Sequence, residues 1–135
     1  LVGEAGVGKT AVVEALAQHI AEGKVPAHLR DKRLIEITMT NLVAGTRYRG
    51  DFEERLQRLI NEVRENADVL IFVDEIHTMV GVGDAGGNLD AANILKPALA
   101  RGELRCLGAT TPAEYQRTIA QDSALARRFQ QVIIE

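Results

Sequence analysis

The sequence predicts an α/β fold with a largely parallel sheet and helices on both of its faces. Strand-like and helix-like segments alternate along the chain, the pattern of βα units. One run, Val69-Leu70-Ile71-Phe72-Val73, is apolar throughout, as in a central parallel strand covered on both sides. Between the strands, apolar residues recur at i, i+3, i+4 and i+7 with polar residues opposite them, the signature of helices packed on a sheet.

Taken in order, the chain opens on a glycine-rich loop, Gly3-Glu4-Ala5-Gly6-Val7-Gly8-Lys9-Thr10, preceded by Leu1 and Val2. Residues 11–20 follow as a helix with Val13, Leu16, Ala17 and Ile20 on one face, ended by Gly23 with Pro26 close behind. Residues 33–39 alternate as a half-buried strand. Phe52, Leu56, Leu59, Ile60 and Val63 mark a second helix, whose first turn carries Asp51, Glu53 and Glu54 in the sense the helix dipole favours. Glu54 is spaced to pair with Arg58. After the apolar strand and a glycine-rich stretch over 81–88, Ala91, Ile94, Leu95, Ala98 and Leu99 form a third stripe, with a kink or restart expected at Pro97. Residues 104–109 read as a strand, Thr111 and Pro112 as the cap and first turn of a helix, residues 123–128 as a short helix, and 132–135 as a last strand.

The chain has 135 residues, 46% of them hydrophobic and 26% charged, with a net charge of −3. That is one domain's worth of ordinary globular composition. The acidic balance offers nothing global for a nucleic acid or a membrane surface, and no apolar run approaches the ~18 residues of a membrane span. Cys106 has no partner for an internal disulfide and reads as a buried thiol. His19, His28 and His77 lack metal-ligand spacing. His19 and His28 read as surface residues, and His77 as structural or as a support for the acids before it. The chain starts two residues before the glycine-rich loop and stops inside a strand, so residues 1–135 are read as a core cut at both ends from a longer polypeptide.

The opening loop matches G-x-x-x-x-G-K-[ST] at every fixed position. Its glycines allow a tight turn in which successive N–H groups face one phosphate, and the helix that follows presents its positive end to the same anion. Lys9 reaches the β- and γ-phosphates, and the Thr10 hydroxyl is a ligand for Mg²⁺. Gly3, Glu4, Ala5, Gly6, Val7, Gly8, Lys9 and Thr10 are therefore the expected nucleotide contacts. Asp74 and Glu75 end the apolar strand about sixty residues later, at the carboxyl edge where open α/β sheets bind ligands. Asp74 holds Mg²⁺ in this reading and Glu75 activates a water. A carboxylate beside the metal ligand favours hydrolysis over transfer to an alcohol.

Three features carry two readings each. Thr110 and Thr111 end the next strand, where a hydroxyl can touch a γ-phosphate, while Thr111 also suits a helix cap. Arg127 and Arg128 are surface charge at a helix end or an arginine finger for a neighbouring subunit, worth ~10³–10⁵ in rate. Tyr48, in Gly45-Thr46-Arg47-Tyr48-Arg49-Gly50, is a ring packed on the sheet rim under an arginine or an exposed grip for extended polypeptide.

These residues together resemble the first nucleotide-binding domain of the Clp AAA+ protein-remodelling ATPases, closest to the ClpB and ClpC branches. The resemblance rests on the opening loop, on the loop through Tyr48 to Phe52, and on Asp74-Glu75-Ile76-His77-Thr78. It extends through residues 96–104, Gly108-Ala109-Thr110-Thr111 and Ala126-Arg127-Arg128-Phe129, over essentially the whole chain. It implies a three-layer core with a five-stranded parallel sheet, and hexameric rings that thread unfolded polypeptide through a pore at the expense of ATP. It assigns Thr111 to the first sensor position, Arg127 and Arg128 to the fingers, Tyr48 to the pore, and 81–88 to a second pore-facing loop. Arg47 stands where a lysine is common, and Pro112-Ala113 where Leu-Asp is usual. The helical lid that completes the family's nucleotide pocket falls outside these residues, so the isolated chain is expected to be monomeric and a weak ATPase. The parent is expected in the cytoplasm or an organelle matrix, alone as a disaggregase or with a protease or co-chaperones. A nucleotide-gated scaffold and an AAA+ machine acting on DNA are the competing readings.

Overall fold

The computed structural model describes residues 1–45, 47–80 and 89–135. Thr46 and the stretch 81–88, expected as part of one pore loop and as a second one, lie outside the described residues. The element order is α1 (Lys9–Ala21), a 3₁₀ turn (Ala27–Leu29), β1 (Arg33–Ile37), α2 (Met39–Val43), α3 (Arg49–Glu65), β2 (Val69–Val73), α4 (His77–Val80), α5 (Leu89–Ala100), β3 (Cys106–Gly108), α6 (Pro112–Arg117) and α7 (Ser123–Ala126).

The sheet is parallel in the order β1-β2-β3. Arg33 to Ile37 lie opposite Val69 to Val73, and Ile71 to Val73 opposite Cys106 to Gly108. Every residue of β2 is buried, which explains its unbroken apolar composition. Its side chains alternate: Val69, Ile71 and Val73 join the main core under α3 and α5, while Phe72 packs with Val13 of α1 and Ala109 on the other face. Three layers follow from that alternation alone. The predicted stripes are the buried ones, with Leu56, Leu95 and Ala91 at 0–1% exposure.

Of the five strands expected, three pair in the sheet among the described residues. Val2 makes single parallel bridges to Thr110 and to Ile133. The backbone around 132–134 bonds to Val2 through Val2 N–H to Val132 O at 2.8 Å and Ile134 N–H to Val2 O at 2.8 Å, without extending further. The strand expected over 33–39 ends at Ile37, because the Thr38 hydroxyl accepts from Asn41 N–H at 3.0 Å and starts α2. The strand expected over 104–109 narrows to Cys106–Gly108. α5 runs through Pro97 as one helix. The Glu54–Arg58 pair forms at 2.8 Å with both side chains about 70% exposed, a setting worth about 0.3–0.5 kcal/mol. Desolvation pushes the thiol of half-buried Cys106 up to about 12, so it stays protonated.

Gly108 closes β3 where no side chain fits. A Cβ there would stand 2.8 Å from Ile76 Cδ1 and 3.2 Å from Ile76 Cβ, and Ile76 is 1% exposed. Gly108→Ala is therefore expected to destabilise the fold by about 1–3 kcal/mol in urea unfolding. Adding Ile76→Val, which removes the nearest methyl, should recover part of that loss; strictly additive effects would show that the crowding is absent.

Candidate functional site

The opening loop adopts the shape its glycines permit. Gly6 and Gly8 have φ of 85° and 104°, and an added Cβ at either meets no atom within 4 Å, so the restriction there is conformational. Gly3 is restricted by space: its Cβ would lie 2.7 Å from the Ile134 carbonyl oxygen. Gly8 is the N-cap of α1, and no side chain caps that end. The first N–H groups of the helix thus remain available to an anion. Lys9 Nζ folds back onto the loop and donates to Gly3 O at 2.5 Å and Glu4 O at 3.0 Å.

A cleft of about 560 Å³ opens over this loop, lined on the other side by Asp74, Glu75, His77 and the segment from Ala109 to Thr111. The acidic pair is held by a tight turn. Asp74 Oδ1 accepts from Glu75 N–H at 2.9 Å, and the Glu75 carbonyl accepts from both Thr78 N–H and the Thr78 hydroxyl at 2.8 Å. Glu75 has φ of 48°, the left-handed region that a long side chain adopts only under constraint. The result is an exposed Glu75 carboxylate beside a half-buried Asp74, both facing the loop. Among the described residues no group of three or more His, Cys, Asp or Glu is arranged to hold a metal. A hydroxyl, one carboxylate and phosphate oxygens suit Mg²⁺, and Thr10 and Asp74 line one cleft for that role.

The two threonines part company. Thr111 Oγ1 accepts from Glu114 N–H at 3.3 Å and caps α6 as expected, while still lining the cleft. Thr110 is 4% exposed, and its Oγ1 lies 2.8 Å from His77 Nδ1. The arginines part as well. Arg128 Nε donates to Ala100 O at 2.7 Å, tying it to the end of α5. Arg127 is exposed, and its side chain has no ion pair or hydrogen bond among the described residues. Asp122, which caps α7 through Ala124 and Leu125 N–H, also pairs with Lys96 of α5, so the segment before the arginines is fastened to that helix.

Tyr48 stands at the N-terminus of α3 with 71% of its surface exposed, so the ring does not pack on the sheet rim. Sequence reasoning missed its support. Arg55, one turn and a half into α3, donates to Leu42 O at 3.3 Å and Ala44 O at 2.5 Å, closing α2 and the base of the Tyr48 loop. An arginine seven positions after the aromatic, on the polar side of a predicted helix, was the available signal. His19 and His28 are exposed, as expected.

Residues 1–134 match the family described as ATPases associated with various cellular activities (AAA). The chain is 58% identical over 132 residues to the chloroplastic chaperone protein ClpC1 of rice, Oryza sativa subsp. japonica. It is 56% identical over 135 residues to the ATP-dependent Clp protease ATP-binding subunit ClpC of Staphylococcus aureus (strain USA300). These alignments take in 98% and 100% of the chain but 14% and 16% of the relatives, so the chain spans a small part of their length. Among solved structures, it superposes on the Saccharomyces cerevisiae Hsp104–ADP complex with a TM-score of 0.83 at 44% identity, over 99% of this chain and 19% of that one.

The left-handed backbone at Glu75 yields a direct test. Asn tolerates that conformation better than Glu, so Glu75→Asn is expected to leave the melting temperature unchanged or raise stability by up to about 1 kcal/mol. A clear loss of stability would show that the turn is not strained.

Proposed function

The chain belongs to the AAA family of ATPases, and from that premise we propose that it is the first nucleotide-binding domain of a Clp-type unfoldase motor, driven by ATP hydrolysis. The observation that carries this reading is one cleft lined by the phosphate loop, Lys9, Thr10, Asp74 and Glu75. In this reading the N–H groups of Gly6, Gly8 and the start of α1 bind the phosphates. Lys9 exchanges its bonds to Gly3 O and Glu4 O for the β- and γ-phosphate oxygens. Thr10 and Asp74 would hold Mg²⁺, which when bound would supply positive charge beside the phosphates. Glu75 orients a water and accepts its proton as the oxygen attacks the γ-phosphorus and the bond to ADP breaks. Thr111 takes the first sensor position, its hydroxyl shared between the α6 cap and the cleft.

Assembly supplies the remaining groups. The side chain of Arg127, without a partner among the described residues, is in this reading a finger for a neighbouring subunit's cleft, with Arg128 beside it once its bond to Ala100 opens. The proposed assembly is a homohexamer, the substrate unfolded polypeptide, and the grip Tyr48, whose exposure and anchored base support that role. In this reading the 135-residue chain by itself is monomeric and weakly active. No described helix is long and apolar enough to cross a membrane, and a cytoplasmic or organelle-matrix parent fits the proposal, with a protease or co-chaperones as partners.

The first experiment is steady-state ATP hydrolysis by the full-length parent, with and without an unfolded protein, for wild type and Tyr48→Ala. Unfolded protein is expected to change turnover in the wild type, with a weaker response in the variant. Turnover indifferent to both would remove the threading reading and favour a nucleotide-gated scaffold, or salt-dependent DNA binding if that is seen instead. Arg127→Ala should lower hydrolysis by the assembled parent by roughly 10³-fold while nucleotide affinity is retained. Arg128→Ala should in addition lower thermal stability, by about 1 kcal/mol for the lost bond to Ala100 O.

A further inference from the structure

We propose that His77 is a positioning residue that turns the hydroxyl proton of Thr110 into the phosphate cleft. Thr110 has little freedom of its own. Its N–H donates to Leu1 O at 3.0 Å and its carbonyl accepts from Gly3 N–H at 3.1 Å, so its backbone is clamped beside the phosphate loop. Its side chain, on a residue 4% exposed, meets one polar partner among the described residues, His77 Nδ1 at 2.8 Å, and both residues line the cleft. The Thr111 hydroxyl is already engaged with Glu114 N–H.

Two hydrogen arrangements satisfy the Thr110–His77 contact. In one, the threonine O–H donates to an unprotonated Nδ1, and Thr110 offers the cleft only lone pairs. In the other, Nδ1–H donates to Oγ1, and the threonine proton is free to donate into the cleft. Besides Lys9 and Thr10, the groups that meet there are acceptors: the carboxylates of Asp74 and Glu75 and, in the function proposed above, phosphate oxygens. A lone-pair face toward oxyanions is repelled, whereas a donated O–H is a charge-assisted bond. The carboxylate of Glu114 lines the same cleft and adds a further acceptor to it. His77 thus selects the donor orientation of Thr110, and that orientation adds affinity for a terminal phosphate. The inference rests on the nucleotide reading only for the identity of the acceptor.

The test uses the 135-residue chain with ¹⁵N-labelled histidine, and titration with ADP and with a slowly hydrolysed ATP analogue. His77 Nδ1 is expected to carry a proton in the ¹⁵N spectrum. His77→Leu and Thr110→Val are each expected to weaken the analogue by about 10- to 100-fold, the effect of one hydrogen bond to a charged group, with ADP affinity unchanged. His77→Asn, whose side-chain amide places a donor where Nδ1 stands, should restore most of the loss, and the Leu/Val double variant should lose no more than either single one. An unprotonated Nδ1, or equal weakening of ADP and analogue by His77→Leu, would overturn the proposal. Binding of neither nucleotide would instead overturn the reading of the cleft, and the Nδ1 proton would then decide the inference by itself.

Discussion

Ala109 and Thr110 carry backbone bonds to segments on both sides. Ala109 N–H donates to Val73 O and its carbonyl accepts from Ile76 N–H, each at 3.0 Å, which fixes the turn bearing Asp74 and Glu75. One residue later Thr110 is bonded to Leu1 and Gly3, which fixes the start of the phosphate loop. The two halves of the cleft are therefore referenced to a single dipeptide rather than to each other. Because each bond links short, rigid backbone, a displacement there would move the acids against the loop, and small displacements in such sites cost large factors in rate. Ala109 is fully buried and Thr110 almost so, so core packing and site geometry are one constraint.

The same economy appears around the rim. Regular elements supply the positions, while the residues proposed to act on the nucleotide sit where regularity stops: Gly8 before α1, Asp74 after β2, Thr111 before α6, Arg127 after α7. Helix ends leave orphan backbone groups, and around α5 and α7 the side chains that satisfy them lie close to Arg127. Asp122 caps α7 while bound to Lys96 of α5, and Arg128 holds the last turn of α5. Burial raises the Asp122 carboxyl, yet the Lys96 contact and the two backbone N–H donors outweigh it and leave it below the usual carboxylate range. Stability from this cap is present above the unfolded value of 3.8 and fades as acid titrates the folded group.

Much of this was legible in the sequence because it depends on local pattern. The phosphate loop requires glycine in fixed places, at Gly3 for space and at Gly8 for its positive φ, and the helical stripes of α3 and α5 follow from a 3.6 period, so both could be read before the fold was seen. The acidic pair was legible because a wholly apolar strand has one natural end. What was not legible depends on contacts between distant segments. Nothing in the residues around Leu1 or Ile133 shows that single bridges would stand where strands were expected. The difference between Thr110 and Thr111 arises from which side chain faces His77, 33 residues away in sequence, and the difference between Arg127 and Arg128 from the carbonyl of Ala100. The support Arg55 gives the Tyr48 loop is hidden because an arginine on a helix surface ordinarily signals only solvation.

Lys9 is not idle before an anion arrives, since two carbonyls of its own loop already hold it. Any incoming group must replace those bonds before it gains from the lysine. A lone orthophosphate brings few oxygens to the exchange, whereas a chain of phosphates meets the loop N–H groups, the helix end and the lysine together. In the proposed function, those resting bonds favour a chain of linked phosphates over a lone one.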